Sequence, residues 1–147
     1  MRTEVIRGIT VRPLRAGETE VIQAVFDRLG PRSRLLRFGG AKNVLLPSDL
    51  ELLSRVDAEH HVLVAIVEGQ AVGIARLVRH GDVGEVAFAV ADAFQGVGVG
   101  TVLVDRLAED ARAAGITSFR GDVADGNTAS QALMQRLNSP VWRTQSA

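Results

Sequence analysis

The segment Gln95-Gly96-Val97-Gly98-Val99-Gly100-Thr101 sets three glycines at alternate positions just ahead of a run with helical spacing. That combination suits an anion. The first turn of a helix leaves four backbone N–H groups without intrahelical partners and carries about half a positive charge, and glycines let a phosphate come close because they have no Cβ. A Walker-type loop would close on Gly-Lys-Ser/Thr, yet the only lysine, Lys42, lies far upstream. A dinucleotide fingerprint would need glycine where Thr101 stands, and the strands before this loop read as hairpins where that fold starts with a parallel crossover. On the glycines alone, a tight strand-to-helix turn that binds nothing remains open.

The rest of the composition narrows the field. The chain has no cysteine, which excludes disulfides, Cys-ligated metals and thiolate nucleophiles and suits a reducing cytoplasm. Zero formal net charge and 4% aromatic residues disfavour nucleic acid as a partner, since neither phosphate neutralisation nor base stacking is provided for. Met1-Arg2-Thr3-Glu4 does not open a signal peptide, and no apolar run approaches membrane-spanning length, so a cytoplasmic, non-membrane protein is expected. His60-His61 open a strand, where neighbouring side chains point to opposite faces, so they are not expected to share a metal. No metal site is expected elsewhere either.

These residues must be held by a scaffold, and 147 residues with 46% hydrophobic and 23% charged content make one domain, 1–147, large enough for its own core. Ile9 to Leu14, interrupted by Pro13, reads as a short edge strand. Glu18 to Leu29 carries Val21, Ile22, Val25, Phe26 and Leu29 at helical spacing and stops at Gly30-Pro31. A further turn or two fits Ser33 to Phe38, and Ser48 to Glu51 reads as a capping box opening another helix through Val56. Then come three strands, Val62 to Val67, Ala71 to Val78 and Gly84 to Val90, joined by turns at Glu68-Gly69-Gln70 and His80-Gly81-Asp82. Val99, Leu103, Leu107, Ala111 and Ala114 give the apolar stripe of a long helix capped at Gly115, with Asp105, Arg106, Glu109, Asp110 and Arg112 facing elsewhere. A strand from Thr117 to Ala124 and a helix from Asn127 to Leu137 complete an α+β order: a meander, then one strand-helix-strand crossover.

With that order, Gln95-x-x-Gly98-x-Gly100 at a strand-to-helix junction resembles the Q/R-x-x-G-x-G/A motif of the GNAT acetyltransferase superfamily. Gly84 to Gly96 is similar to the same strand and loop of Pat-type bacterial protein lysine acetyltransferases, and the likeness continues through Pro31 to Phe38 and, more weakly, Asn127 to Trp142. The resemblance implies a mixed, mainly antiparallel central sheet with helices on both faces and with its C-terminal strands truncated. It implies acetyl-coenzyme A as cosubstrate. The backbone of Phe88 and Val90 would hold the pantetheine arm like an added strand, amides of Gln95, Gly96, Val97, Gly98, Val99, Gly100 and Thr101 the diphosphate, and Asn127 would approach from the next helix. Val97 departs from the arginine or lysine that related loops often carry, which implies one phosphate contact fewer. Arg28, Arg32, Arg34, Arg37 and Lys42 form a positive stretch that reads as a solvated face, or as a guide for an acidic acceptor or the cofactor phosphate.

An amine attacks a thioester only when neutral, and deprotonating a lysine at pH 7 costs about 4.6 kcal/mol. Glu85 is the expected base: strand alternation sets it beside Ala87 and Ala89, opposite Val86, Phe88 and Val90, and burial there would suit it to take a proton. Relatives that acetylate lysine place a glutamate at a matching offset. Their leaving-group tyrosine has no counterpart, because Asn127…Leu133-Met134 puts methionine there and the chain has no tyrosine. Thiolate, with a pKa near 8.5, tolerates that loss. The expected function is direct acetyl transfer to an amine, a protein lysine or a small molecule. The alternative is a coenzyme A-binding module with little or no catalysis. After the last helix the chain offers at most one strand where Pat-type domains continue with two, and an uncovered edge would invite a homodimer.

Overall fold

The computed structural model describes residues 3–30, 44–121 and 128–138. Six strands form one sheet: β1 (Glu4–Ile6), β2 (Ile9–Pro13), β3 (His60–Val67), β4 (Gln70–His80), β5 (Val83–Val90) and β6 (Ser118–Arg120), adjacent in chain order. Every pairing is antiparallel except β5 with β6, where the crossover helix returns the chain in parallel. Among the described residues four helices accompany it: α1 (Thr19–Asp27), α2 (Pro47–Leu53), α3 (Val99–Ala113) and α4 (Thr128–Leu137), with a 3-10 turn at Asp92–Phe94.

Strand alternation divides the core in two. Val11, Leu63, Ala65, Ala75, Val86 and Phe88 face one side, where α3 covers them through Val99, Leu103, Leu107 and Ala111. Val62, Val64, Ile74 and Ala89 face the other, beneath α1 with Ile22, Val25 and Phe26. The mixed, mainly antiparallel sheet with helices on both faces is thus present. The entry into α1 is fixed by Glu18, whose carboxylate takes two 2.9 Å bonds from Arg12 and one of 2.7 Å from the Arg15 N–H. That arrangement holds the Glu18 carboxyl below its ordinary range, chiefly through the Arg12 bonds.

Several expectations need correction. The strand at Ile9 is not an edge, because Glu4–Ile6 folds back on it through Arg7 and Gly8, both at positive φ (53° and 78°), the backbone of a primed two-residue hairpin turn. The α2 helix starts one residue before the expected capping box: Pro47 is its first residue, and Asp49 accepts the Leu46 N–H at 2.8 Å. Arg106, expected to face outward, is 2% exposed. It bonds Asp110 at 2.9 Å, and Asp110 in turn meets His61 Nε2 at 2.9 Å, so three polar residues tie α3 to the start of β3. The expectations at 31–43, 122–127 and 139–147, which include most of the positive stretch, Asn127 and the C-terminal strand, fall outside the described residues.

Candidate functional site

The glycine loop lies where the sequence places it, between β5 and α3. Gly96 and Gly98 have φ of 79° and 95°, a region that residues with a Cβ enter only under strain. Gly98 is the N-cap of α3 and, being glycine, offers no side chain of its own to cap that terminus. The first helical bond into the Gly98 carbonyl comes from Val102 at 3.0 Å, so the amides of Val99, Gly100 and Thr101 precede the repeating pattern. Val99 is fully buried against the core, and a Cβ on Gly100 would lie 3.2 Å from Leu133 of α4, so small size at 100 serves helix packing. Val97 is 62% exposed.

Beside the loop, β5 changes partners. It pairs with β4 along its whole length but with β6 only at Val83, Gly84 and Glu85. The Ala91 N–H donates to Val72 O at 2.7 Å across the β4 edge, and alternation therefore turns the N–H and C=O of Phe88 and Val90 to the opposite edge. No strand pairs with that stretch among the described residues. The side-chain amide of Gln95 donates to Val90 O at 3.1 Å, which joins the loop to the open edge. At the near end of the gap Gly121 passes so close that a Cβ there would fall 2.6 Å from Val86 O.

Glu85 lies on the face the alternation predicts, opposite Val86 and Phe88, but it is not buried. Its side chain is 52% exposed, with His80 Nε2 3.6 Å and an Arg120 guanidinium nitrogen 3.7 Å from the same carboxylate oxygen. Arg120 is its register partner on β6, and His80 shares the face two residues beyond Val78, its partner on β4. Neither neighbour was foreseen, since both depend on pairing register, which local periodicity does not reveal. Met134 packs against the α3 side of the core, a role its shape explains without chemistry.

A groove of about 630 Å³ runs along the outer side of α3, reaching the loop at Val97, Gly98 and Thr101. Arg136 crosses it to meet Asp105 at 2.6 and 2.9 Å, and this bond raises the guanidinium above its ordinary pKa. Glu85, Phe88 and Val90 do not line it, so it is separate from the open edge of β5. His60 and His61 do point apart, to Asp57 at 2.7 Å and to Asp110 at 2.9 Å. Asp57, Glu59 and His60 could bring three ligand atoms within 4.8 Å at an exposed turn, an arrangement common without any ion. Among the described residues no helix is long and apolar enough to cross a membrane.

Comparison with known proteins places the chain beside acetyltransferases. The chain is 32% identical over 134 residues to acetyltransferase PA5475 of Pseudomonas aeruginosa, covering 86% of this chain and 70% of that one. It is 36% identical over 99 residues to acetyltransferase Pat of Mycolicibacterium smegmatis, covering 63% of this chain but only 29% of that protein. The crystal structure of the GNAT domain of S. lividans PAT superposes with a TM-score of 0.83 at 26% identity, over 92% of this chain and 85% of that one. The acetyltransferase (GNAT) family model matches residues 34–138, which take in β5, the glycine loop, α3 and α4, and the chain belongs to that family.

Proposed function

We propose that this protein transfers the acetyl group of acetyl-coenzyme A directly to an amine, a protein lysine or a small molecule, with Glu85 accepting the amine proton. The observation that carries this reading is the open edge of β5 beside a helix N-terminus whose N-cap is a glycine. An arm built of amides can add to the outward groups of Phe88 and Val90 as an extra strand would, exchanging for or sharing the Gln95 contact to Val90 O. The diphosphate then meets the amides from Gln95 to Thr101, and the positive φ at Gly96 and Gly98 lets those amides converge without Cβ atoms between them and the ligand. Space fits as well, since nothing lies within 4 Å of where a Cβ would stand on either glycine. Asn127 is carried over from the family pattern as a further contact to the cosubstrate.

The bound thioester supplies the activated acetyl group, and this chain's own residues must orient the amine and remove its proton. Glu85 stands on the strand that carries Phe88, on the face opposite the α3 core, with Ala87 as a small neighbour. A half-exposed carboxylate can take a proton directly or through one water. Met134 cannot protonate the departing thiolate, so solvent serves that step. A thiol-release assay over a panel of amines tests the reading. Glu85→Gln is expected to leave acetyl-coenzyme A affinity unchanged by calorimetry and to lower kcat at neutral pH by roughly 10²-fold or more, with partial recovery at high pH where more free amine is present. Unchanged turnover would remove Glu85 from the chemistry, and the absence of thiol release with every amine would reduce the protein to a coenzyme A-binding module.

A further inference from the structure

The face that carries Glu85 holds more positive charge than a site for a simple cationic amine needs. The row across the sheet through Glu85 runs from His60 through Val78 to Arg120, and the next row runs from Val62 through Arg76 to Ala87. Arg76 and Glu85 are therefore diagonal neighbours on adjacent strands, and the side chain between Arg76 and the open edge of β5 is only a methyl. Arg120, 60% exposed, and His80 flank the carboxylate within 4 Å. Arg55, just beyond α2, adds a further like charge close enough to act on Arg76. The neighbouring carboxylate of Asp57 is taken by His60.

Arg76 itself is incompletely satisfied. One guanidinium nitrogen reaches the Leu52 carbonyl at the end of α2 over 3.5 Å, a long bond, and its buried Nε has no hydrogen-bond partner among the described residues. Burial lowers its pKa from the ordinary arginine value, and the charge of Glu85 offsets this only in part. A half-buried guanidinium with donors to spare is a fork that fits a carboxylate.

Taking the acetyl-transfer reading as its basis, we propose that the acceptor is an amine bearing a nearby carboxylate, and that Arg76, assisted by Arg120, receives the carboxylate while the amine meets Glu85. Two guanidinium groups repel a bare ammonium approaching Glu85, and an acceptor with its own negative charge cancels that repulsion. The required spacing is that of two diagonal positions on neighbouring strands, about 7–8 Å between backbones and less between side-chain tips. Free amino acids meet that spacing, as do peptides with an acidic residue beside the acceptor amine.

The test compares matched acceptors with and without the carboxylate, rates taken per unit of free amine: glutamate against glutaminamide, β-alanine against β-alaninamide, and pentapeptides with lysine flanked by aspartate or by asparagine. The carboxylated member of at least one pair should be favoured about tenfold or more in kcat/KM, and whether it is an amino acid or a peptide identifies the source. Arg76→Gln should erase that preference by raising KM for the acid, with KM for acetyl-coenzyme A unchanged, and Arg76→Lys should restore part of it. A reading independent of turnover is thermal stabilisation, at saturating coenzyme A, by the same acids and by N-acetylglutamate over their amides. Equal or better use of the amides, or no stabilisation by any acid while coenzyme A itself stabilises the protein, overturns the inference and leaves acetyl transfer standing. Failure of acetyl-coenzyme A to bind would instead overturn the reading beneath it.

Discussion

Two kinds of residue carry the proposed site, and they should fail differently when changed. In the proposed reaction Glu85 would act through its carboxylate and Gly98 through its backbone. At φ of 95° with no atom within 4 Å of a Cβ, Gly98 has room for a side chain but not the conformation for one. Gly98→Ala therefore trades a left-handed cap for roughly 1–2 kcal/mol of strain, and the chain relieves it by turning the first amides of α3. Since those amides are what the diphosphate would meet, the variant should bind acetyl-coenzyme A at least about tenfold more weakly by calorimetry, with its melting temperature lowered by only a few degrees. Normal affinity would show that the loop is a turn and nothing more. Gly100→Ala makes the contrast: its Cβ would press on Leu133, so the expected loss is in α3–α4 packing before it is in binding.

At the scale of elements, the polar tie between α3 and β3 is what a sequence reading passes over. Arg106 sits between Leu103 and Leu107 on the edge of the apolar stripe, and its partnership becomes visible only with His61, which lies 49 residues from Asp110. Local period placed the strands and the long helix because burial alternates with their geometry. It missed β1 because Val5 and Ile6 are exposed and the turn at Arg7-Gly8 asks a non-glycine to take positive φ. It placed Glu85 on the right face but not in the right surroundings, since a face is set by parity whereas exposure and neighbours are set by which strands pair. Asp110 tests the tie. Burial pushes its carboxyl up, but bonds from His61 and Arg106 outweigh that, and its pKa falls below the ordinary 3.8. A lowered folded pKa means stability present above about pH 4 and lost as pH falls through the folded value. Asp110→Asn, which removes the carboxylate that Arg106 and His61 share, should cost about 1.5–3 kcal/mol in urea unfolding at pH 7. The difference from wild type should shrink below pH 4; a gap that persisted undiminished at pH 3 would show that Asp110 acts by shape, not charge.

For the molecule as a whole, one sheet with a core on each face makes the two halves of the site interdependent. The glycine loop and α3 belong to one face, Glu85 and Arg76 to the other, and β5 is the strand they share. A ligand laid along the open edge of β5 would stabilise that strand and therefore both cores together. Mass action sets the size of the effect: at a hundred times its dissociation constant, a ligand binding only the folded chain adds about 2.7 kcal/mol. For a domain of this length that is a rise of roughly 10 °C in melting temperature. Acetyl-coenzyme A should produce such a rise with a single cooperative transition, monitored by circular dichroism, whereas adenosine diphosphate, which has the diphosphate but no pantetheine arm, should produce a clearly smaller one at the same concentration. Equal shifts would mean that β5 contributes nothing and that the helix terminus alone binds. A transition that split in two on adding the ligand would mean that the faces are not coupled through β5, and the adjacency of cofactor loop and base would then have no energetic content.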